Sequence, residues 1–154
     1  MEIKDLEKRP NFEQDKKLMK KYAYFEKLIT ELNKKEIPTE IANTINEDID
    51  VVNSFSGSNK DLLKLLRKTP LKILTLLEKE LKLVPKNHYR NRWIAIGMAA
   101  FGIPLGAAMG ASLGNMAFLG AGLPIGIAIG AGVGTAMDSK AKDSGKQLDL
   151  ESEH

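Results

Sequence analysis

The chain of 154 residues contains no cysteine, two histidines and one tryptophan. Without cysteine there is no disulfide framework, no thiol nucleophile and no thiolate metal site. His88 and His154 have no partner at a metal-ligand spacing, so neither a metal nor a cofactor is expected. Glu47, Asp48 and Asp50 lie close together, but successive residues of a helix point in different directions, and no histidine or nucleophile completes a site. They read as a solvated acidic face, no catalytic residue is assigned, and an enzyme is not expected. The amino terminus lacks the apolar stretch and cleavage site of a secretory signal, so the first 92 residues are expected in the cytosol. The largest deficit is local: from Trp93 to Met137, 45 consecutive residues contain no Asp, Glu, Lys, Arg or His, in a chain that is 28% charged overall.

Such a run points to a bilayer rather than to a uniform soluble globule. As a single helix it would be about 67 Å long, more than twice a hydrocarbon thickness of roughly 30 Å, so it must fold back. Gly114-Asn115 and the residues just after them are the best turn, giving spans of 93–113 and 118–137. Lys82, Lys86, Arg90 and Arg92 precede the first span, Lys140 and Lys142 follow the second, and the turn has no charge. The positive-inside rule then puts both termini in the cytoplasm, in a bacterial inner membrane, with these cations against anionic headgroups. Residues 85–92 form a basic juxtamembrane linker.

Of the 13 glycines, 11 lie in the uncharged run. Gly102, Gly106, Gly110 and Gly114 form one four-residue register, and Gly122, Gly126, Gly130 and Gly134 form another, 20 residues on. The segments align as copies, including Pro104 and Pro124, and read as a duplicated helix. Residues four apart line one helix face, and glycine there lets two backbones approach closely, which is how helices associate in lipid. The partner of each stripe is either the other helix of the hairpin or another copy of the chain. Each proline removes a backbone donor, so the spans kink at Pro104 and Pro124, or short helices begin there. The run resembles the glycine-zipper two-helix membrane segments of many small bacterial envelope proteins, over about Trp93–Met137 only. That resemblance implies packing and self-association. It does not extend to the lipidated cysteine that some such proteins carry, because there is none here.

The remainder is charged and helical. Residues 1–10 read as a flexible start and 11–84 as about four short amphipathic helices: one from near Asn11 to Lys35, one opened by Pro38-Thr39, one capped by Ser58 with Asp61, and one started by Thr69-Pro70. Leu18, Tyr22, Phe25, Ile29 and Leu32 form the inward stripe of the first. Between Lys60 and Arg92 ten Lys/Arg face three acidic residues, which suits an anionic leaflet; no nucleic-acid motif accompanies this basicity. Residues 138–154 read as a polar flexible tail. The expected fold is all-α, a cytosolic helical bundle followed by a transmembrane hairpin. Two functions fit: an inner-membrane protein that packs or self-associates through its glycine faces and displays a cytosolic module for a protein partner, or a permeabilising pore or toxin-like effector whose hairpin inserts conditionally. Ser112, Asn115 and Thr135 are too few to line an aqueous pore.

Overall fold

Apolar side chains at steps of three and four give α1 (Lys16–Asn33) one apolar face, and Leu18, Tyr22, Phe25, Leu28, Ile29 and Leu32 on it are all buried. Asp15 starts the helix by accepting from the amides of Lys17 (2.9 Å) and Leu18 (3.3 Å), two donors that a helix start leaves open. Against α1 and its neighbours α2 (Thr39–Asn53) contributes Ala42, Ile45, Ile49 and Val52, while α3 (Asn59–Leu81) contributes Leu62, Leu66, Ile73 and Leu77. Ser58 caps α3, accepting from the Asp61 amide at 3.2 Å. The fold is all-α apart from one small parallel sheet of two strands, β1 (Val84–Lys86) and β2 (Gln147–Glu151).

The computed structural model describes residues 2–10 and 12–152, with only the backbone of Glu13. Asn11, expected near the first helix start, and His154 lie outside the described residues. The chain divides into two units, Met1–Leu83 with Leu148–Leu150, and Val84–Gln147 with Glu151–His154.

In the first unit the structure corrects three expectations. Thr69-Pro70 does not open a fourth helix, because α3 runs unbroken through Pro70 to Leu81. Pro70 forfeits one backbone bond, but Leu66, Thr69, Ile73 and Leu77 stay buried on one continuous face, and that packing outweighs the loss. Residues 2–10 are not loose. Three asparagines each hold a stretch of this segment by both amide groups: Asn33 binds the N–H (2.8 Å) and C=O (3.2 Å) of Ile3. Asn46 accepts from the Lys4 amide (2.8 Å) and donates to the Glu2 carbonyl (3.2 Å), and Asn53 does the same for Glu7 (2.9 Å) and Asp5 (3.1 Å). Ile3 and Leu6 are thereby pressed into the core. Nor is the carboxyl end a tail: in β2 Leu148 and Leu150 alternate into the same core, and the Asp149 amide donates to buried Glu31 at 2.9 Å.

The second unit is a helical hairpin. Its first arm comprises α4 (His88–Gly97), a π-helical turn (Met98–Gly102) and α5 (Ile103–Leu113). A 3-10 turn at Met116–Phe118 leads to the second arm, α6 (Leu119–Asp143). α6 thus extends past Met137 into the expected tail. Beyond its last residue Gly145, with φ +68°, closes the end and lets the Lys146 amide reach back to the Ala141 carbonyl at 2.8 Å.

Candidate functional site

Between Trp93 and Met137 the buried residues are Gly97, Gly102, Gly106, Gly110, Gly122, Gly126, Gly130 and Gly134, all of them glycine. The large apolar side chains point the other way. Phe101, Ile103, Leu105, Leu113, Met116, Ile125, Ile127, Ile129 and Val133 are all exposed. This inverts the first unit, where leucine, isoleucine and phenylalanine form the interior.

The buried glycines of the two arms face each other in antiparallel order. A Cβ built on Gly134 would meet the backbone of Arg90 and Tyr89, one on Gly130 that of Trp93 and Ile94, and one on Gly126 the Gly97 carbonyl oxygen at 2.5 Å and the Gly102 nitrogen at 2.7 Å. Nearer the turn, a Cβ on Gly122 would strike the Gly102 carbonyl and the Gly106 nitrogen, while one on Gly106 would strike Leu119. Gly102 and Gly110 have more room, with nearest atoms at 3.2 Å and 3.3 Å. The two backbones are therefore in contact along most of the hairpin, an approach no side chain permits.

Two glycines change place relative to the spacing argument. Gly114 is not on the packed stripe: it has φ +66°, caps α5 in the left-handed region, and has nothing within 4 Å of an added Cβ. Gly97 takes a place on the stripe instead. It lies five residues before Gly102, a step that breaks an α-helical register but fits the π-helical turn between them, where the Ile103 amide donates to Met98 five residues back. The sequence carries the cause two residues further on. Pro104 has no N–H to offer the Ala100 carbonyl and its ring crowds that carbonyl, and the wider π turn accommodates both effects immediately before α5. Pro104 is thus the second residue of a helical segment. Pro124 lies inside a continuous α6, as its sixth residue.

Asp138, a residue the spacing argument passed over, continues the register of Gly122, Gly126, Gly130 and Gly134 by one further step. It is 7% exposed. Its carboxylate accepts from the amides of Tyr89 (3.0 Å) and Arg90 (2.9 Å), the first turn of α4. Asn87 precedes that helix in a left-handed conformation and makes no side-chain cap, so the cap comes from the opposite arm, and a negative charge there also favours the helix dipole. An aspartate at the next four-residue step, opposite the start of the first span, is the signal that locates it.

Arg90 and Arg92 on α4 and Lys140 and Lys142 on α6 are exposed, and all four lie at the open end of the hairpin because its arms are antiparallel. Lys86 is half-buried in β1. Lys82 lies in the first unit, in the left-handed residue that ends α3, with its ammonium on the Lys79 carbonyl (3.1 Å). Among the described residues no three His, Asp or Glu side chains are grouped to hold a metal ion. The arms, His88–Leu113 and Met116–Asp143, are each long and apolar enough to cross a membrane. Comparison with protein-family models, curated proteins and solved structures finds no match for this chain.

Proposed function

We propose that the chain is an integral membrane protein of the bacterial inner membrane whose hairpin crosses the bilayer twice, glycine against glycine, and anchors a cytosolic helical unit that binds a protein partner. The observation that carries this reading is the inverted interior of the hairpin: its centre is glycine and its surface is isoleucine, leucine and phenylalanine. In water each large apolar side chain left exposed forgoes roughly 1.5 to 3 kcal/mol, and a dozen together would drive aggregation; lipid removes that cost. At 1.5 Å per residue, arms of 26 and 28 residues reach about 39 and 42 Å, enough for the hydrocarbon and part of both interfaces. Arg90, Arg92, Lys140 and Lys142 at the open end support an orientation with both termini in the cytoplasm. Self-association through the glycine faces would require the hairpin to open, since each stripe faces the other arm. A constitutive anchor is therefore favoured over a pore.

Alkaline carbonate extraction should leave the protein in the membrane pellet, and recovery in the soluble fraction would overturn the anchor. For topology, Ala117→Cys introduces the only thiol and spares the Asn115 side chain, which accepts from the Ala117 amide at 2.9 Å. An impermeant maleimide should label it on intact spheroplasts. Labelling that appears only after lysis would refute an external turn.

A further inference from the structure

We propose, resting on the membrane reading above, that the outward face of α1 is a second membrane contact: a lysine strip that lies on an anionic leaflet. Lys16, Lys20 and Lys27 fall within about 40° of one another at 3.6 residues per turn, directly opposite the buried stripe, and all three are exposed. They extend over about 16 Å of the helix at 1.5 Å per residue. The acidic residues of α1 leave this charge uncompensated. Glu26 is held by Lys8 at 2.7 Å and Glu31 by Lys34 at 2.6 Å, while the Asp15 carboxylate is turned onto helix amides.

Met19 and Ala23 are exposed along one edge of this strip, where they line a cleft with Lys8, Phe12 and Glu26. The strip thus has an exposed apolar side chain at its edge, and lysine stems can lie along acyl chains while their heads stay with phosphodiesters. Its charge is spread along a line, which suits a broad surface of fixed negative charge. Nucleic acid is the weaker match, because α1 has no arginine, its outward face carries no asparagine or glutamine to read a base, and its nearest aromatic, Tyr24, is half-buried against the core.

The test uses the full-length protein with Ala23→Cys, labelled with an environment-sensitive fluorophore. It is reconstituted in vesicles of phosphatidylcholine alone, or with about one third phosphatidylglycerol, with an energy-transfer acceptor on a trace headgroup. The protein should float with both vesicle types, and transfer should rise only in the anionic one. At roughly five-fold in local affinity per lysine, the triple variant Lys16→Gln, Lys20→Gln, Lys27→Gln should weaken the contact by about 100-fold and lose the rise. The matching Lys→Arg triple should keep it, which separates charge from folding. Equal transfer in the two lipids, or a rise that survives the Gln triple, overturns the proposal while the hairpin stands. Failure to float in either lipid overturns both readings. Binding of a single-stranded oligonucleotide in phosphatidylcholine vesicles, abolished by the Gln triple and accompanied by no lipid-dependent rise, assigns the face to nucleic acid instead.

Discussion

Glycines that look alike in the sequence divide sharply by what a methyl group would meet. Gly130→Ala and Gly126→Ala drive a Cβ into backbone, which cannot move aside, so each should destabilise the hairpin by roughly 1 to 3 kcal/mol. Gly132→Ala and Gly120→Ala meet nothing within 4 Å and should be neutral, or stabilising by up to about 1 kcal/mol through helix propensity. Unfolding the four variants in mixed micelles and following helical circular dichroism separates the two classes; equal effects would mean the arms are not in backbone contact. Glu31 gives the pH behaviour of the first unit. The hydrogen bond from Lys34 holds its carboxyl below the usual value, with help from the Asp149 amide and against the opposing effect of burial. A carboxyl with a lowered folded pKa stabilises the fold above its unfolded value and loses that contribution as pH falls through the folded one. Protection of the Asp149 amide from hydrogen exchange should therefore be full at neutral pH and fade below about pH 4.5, the ordinary glutamate range. The Glu31→Gln variant should show a flat, weaker profile.

At the scale of elements, side chains of one element complete the backbone of another. Asn46 and Asn53 are seven apart on one face of α2, and each supplies a donor and an acceptor to the extended amino-terminal segment. Replacing both with alanine removes four hydrogen bonds at about 1 kcal/mol each. Limited proteolysis at Lys4 and Lys8 should then outpace the wild-type rate several-fold, whereas unchanged cleavage would mean Ile3 and Leu6 alone hold the segment. Asp138 acts across the hairpin in the same manner. Asp138→Ala should cost about 1 to 2 kcal/mol, because it leaves two partly buried amides of α4 without their acceptor. The readout is hydrogen exchange of Tyr89 and Arg90, which should accelerate while amides at Ile127 and Ile129 stay protected.

For the whole molecule, two interiors are built by opposite rules in one chain. The first unit removes leucine, isoleucine, phenylalanine and tyrosine from water, whereas between Trp93 and Met137 the second buries glycine and turns its large apolar side chains outward. Chain order also couples them in time, since Leu148 and Leu150, which close the first core, are synthesised after the hairpin. Ending the chain at Gly145 should cost the first unit roughly 3 to 6 kcal/mol, from two leucines at about 1.5 to 3 kcal/mol each. The truncated protein should still pellet with membranes under alkaline carbonate while its amino-terminal unit becomes sensitive to protease. A resistant amino-terminal unit would show that residues 148–150 are dispensable.

Elements whose signal is local and periodic are legible in the order of residues alone. The stripe Leu18, Tyr22, Phe25, Ile29 and Leu32, the cap at Ser58, the uncharged run and the four-residue glycine registers are each set by neighbours within one or two turns. Features that depend on residues far apart emerge only on folding. Pro70 stays within a helix because the core rewards a continuous face, and residues 2–7 are pinned by asparagines some 30 to 48 positions away. Gly-Lys-Gln-Leu-Asp-Leu-Glu at the carboxyl end alternates as a strand should, yet only a core built from residues 3–83 makes burying its leucines favourable. Periodicity likewise left open whether each glycine stripe met its own hairpin or another copy. The antiparallel return of the chain answers that within the fold, because it brings Gly122, Gly126 and Gly130 against Gly106, Gly102, Gly97 and the Trp93 backbone, and backbone contact at that distance admits nothing larger than hydrogen.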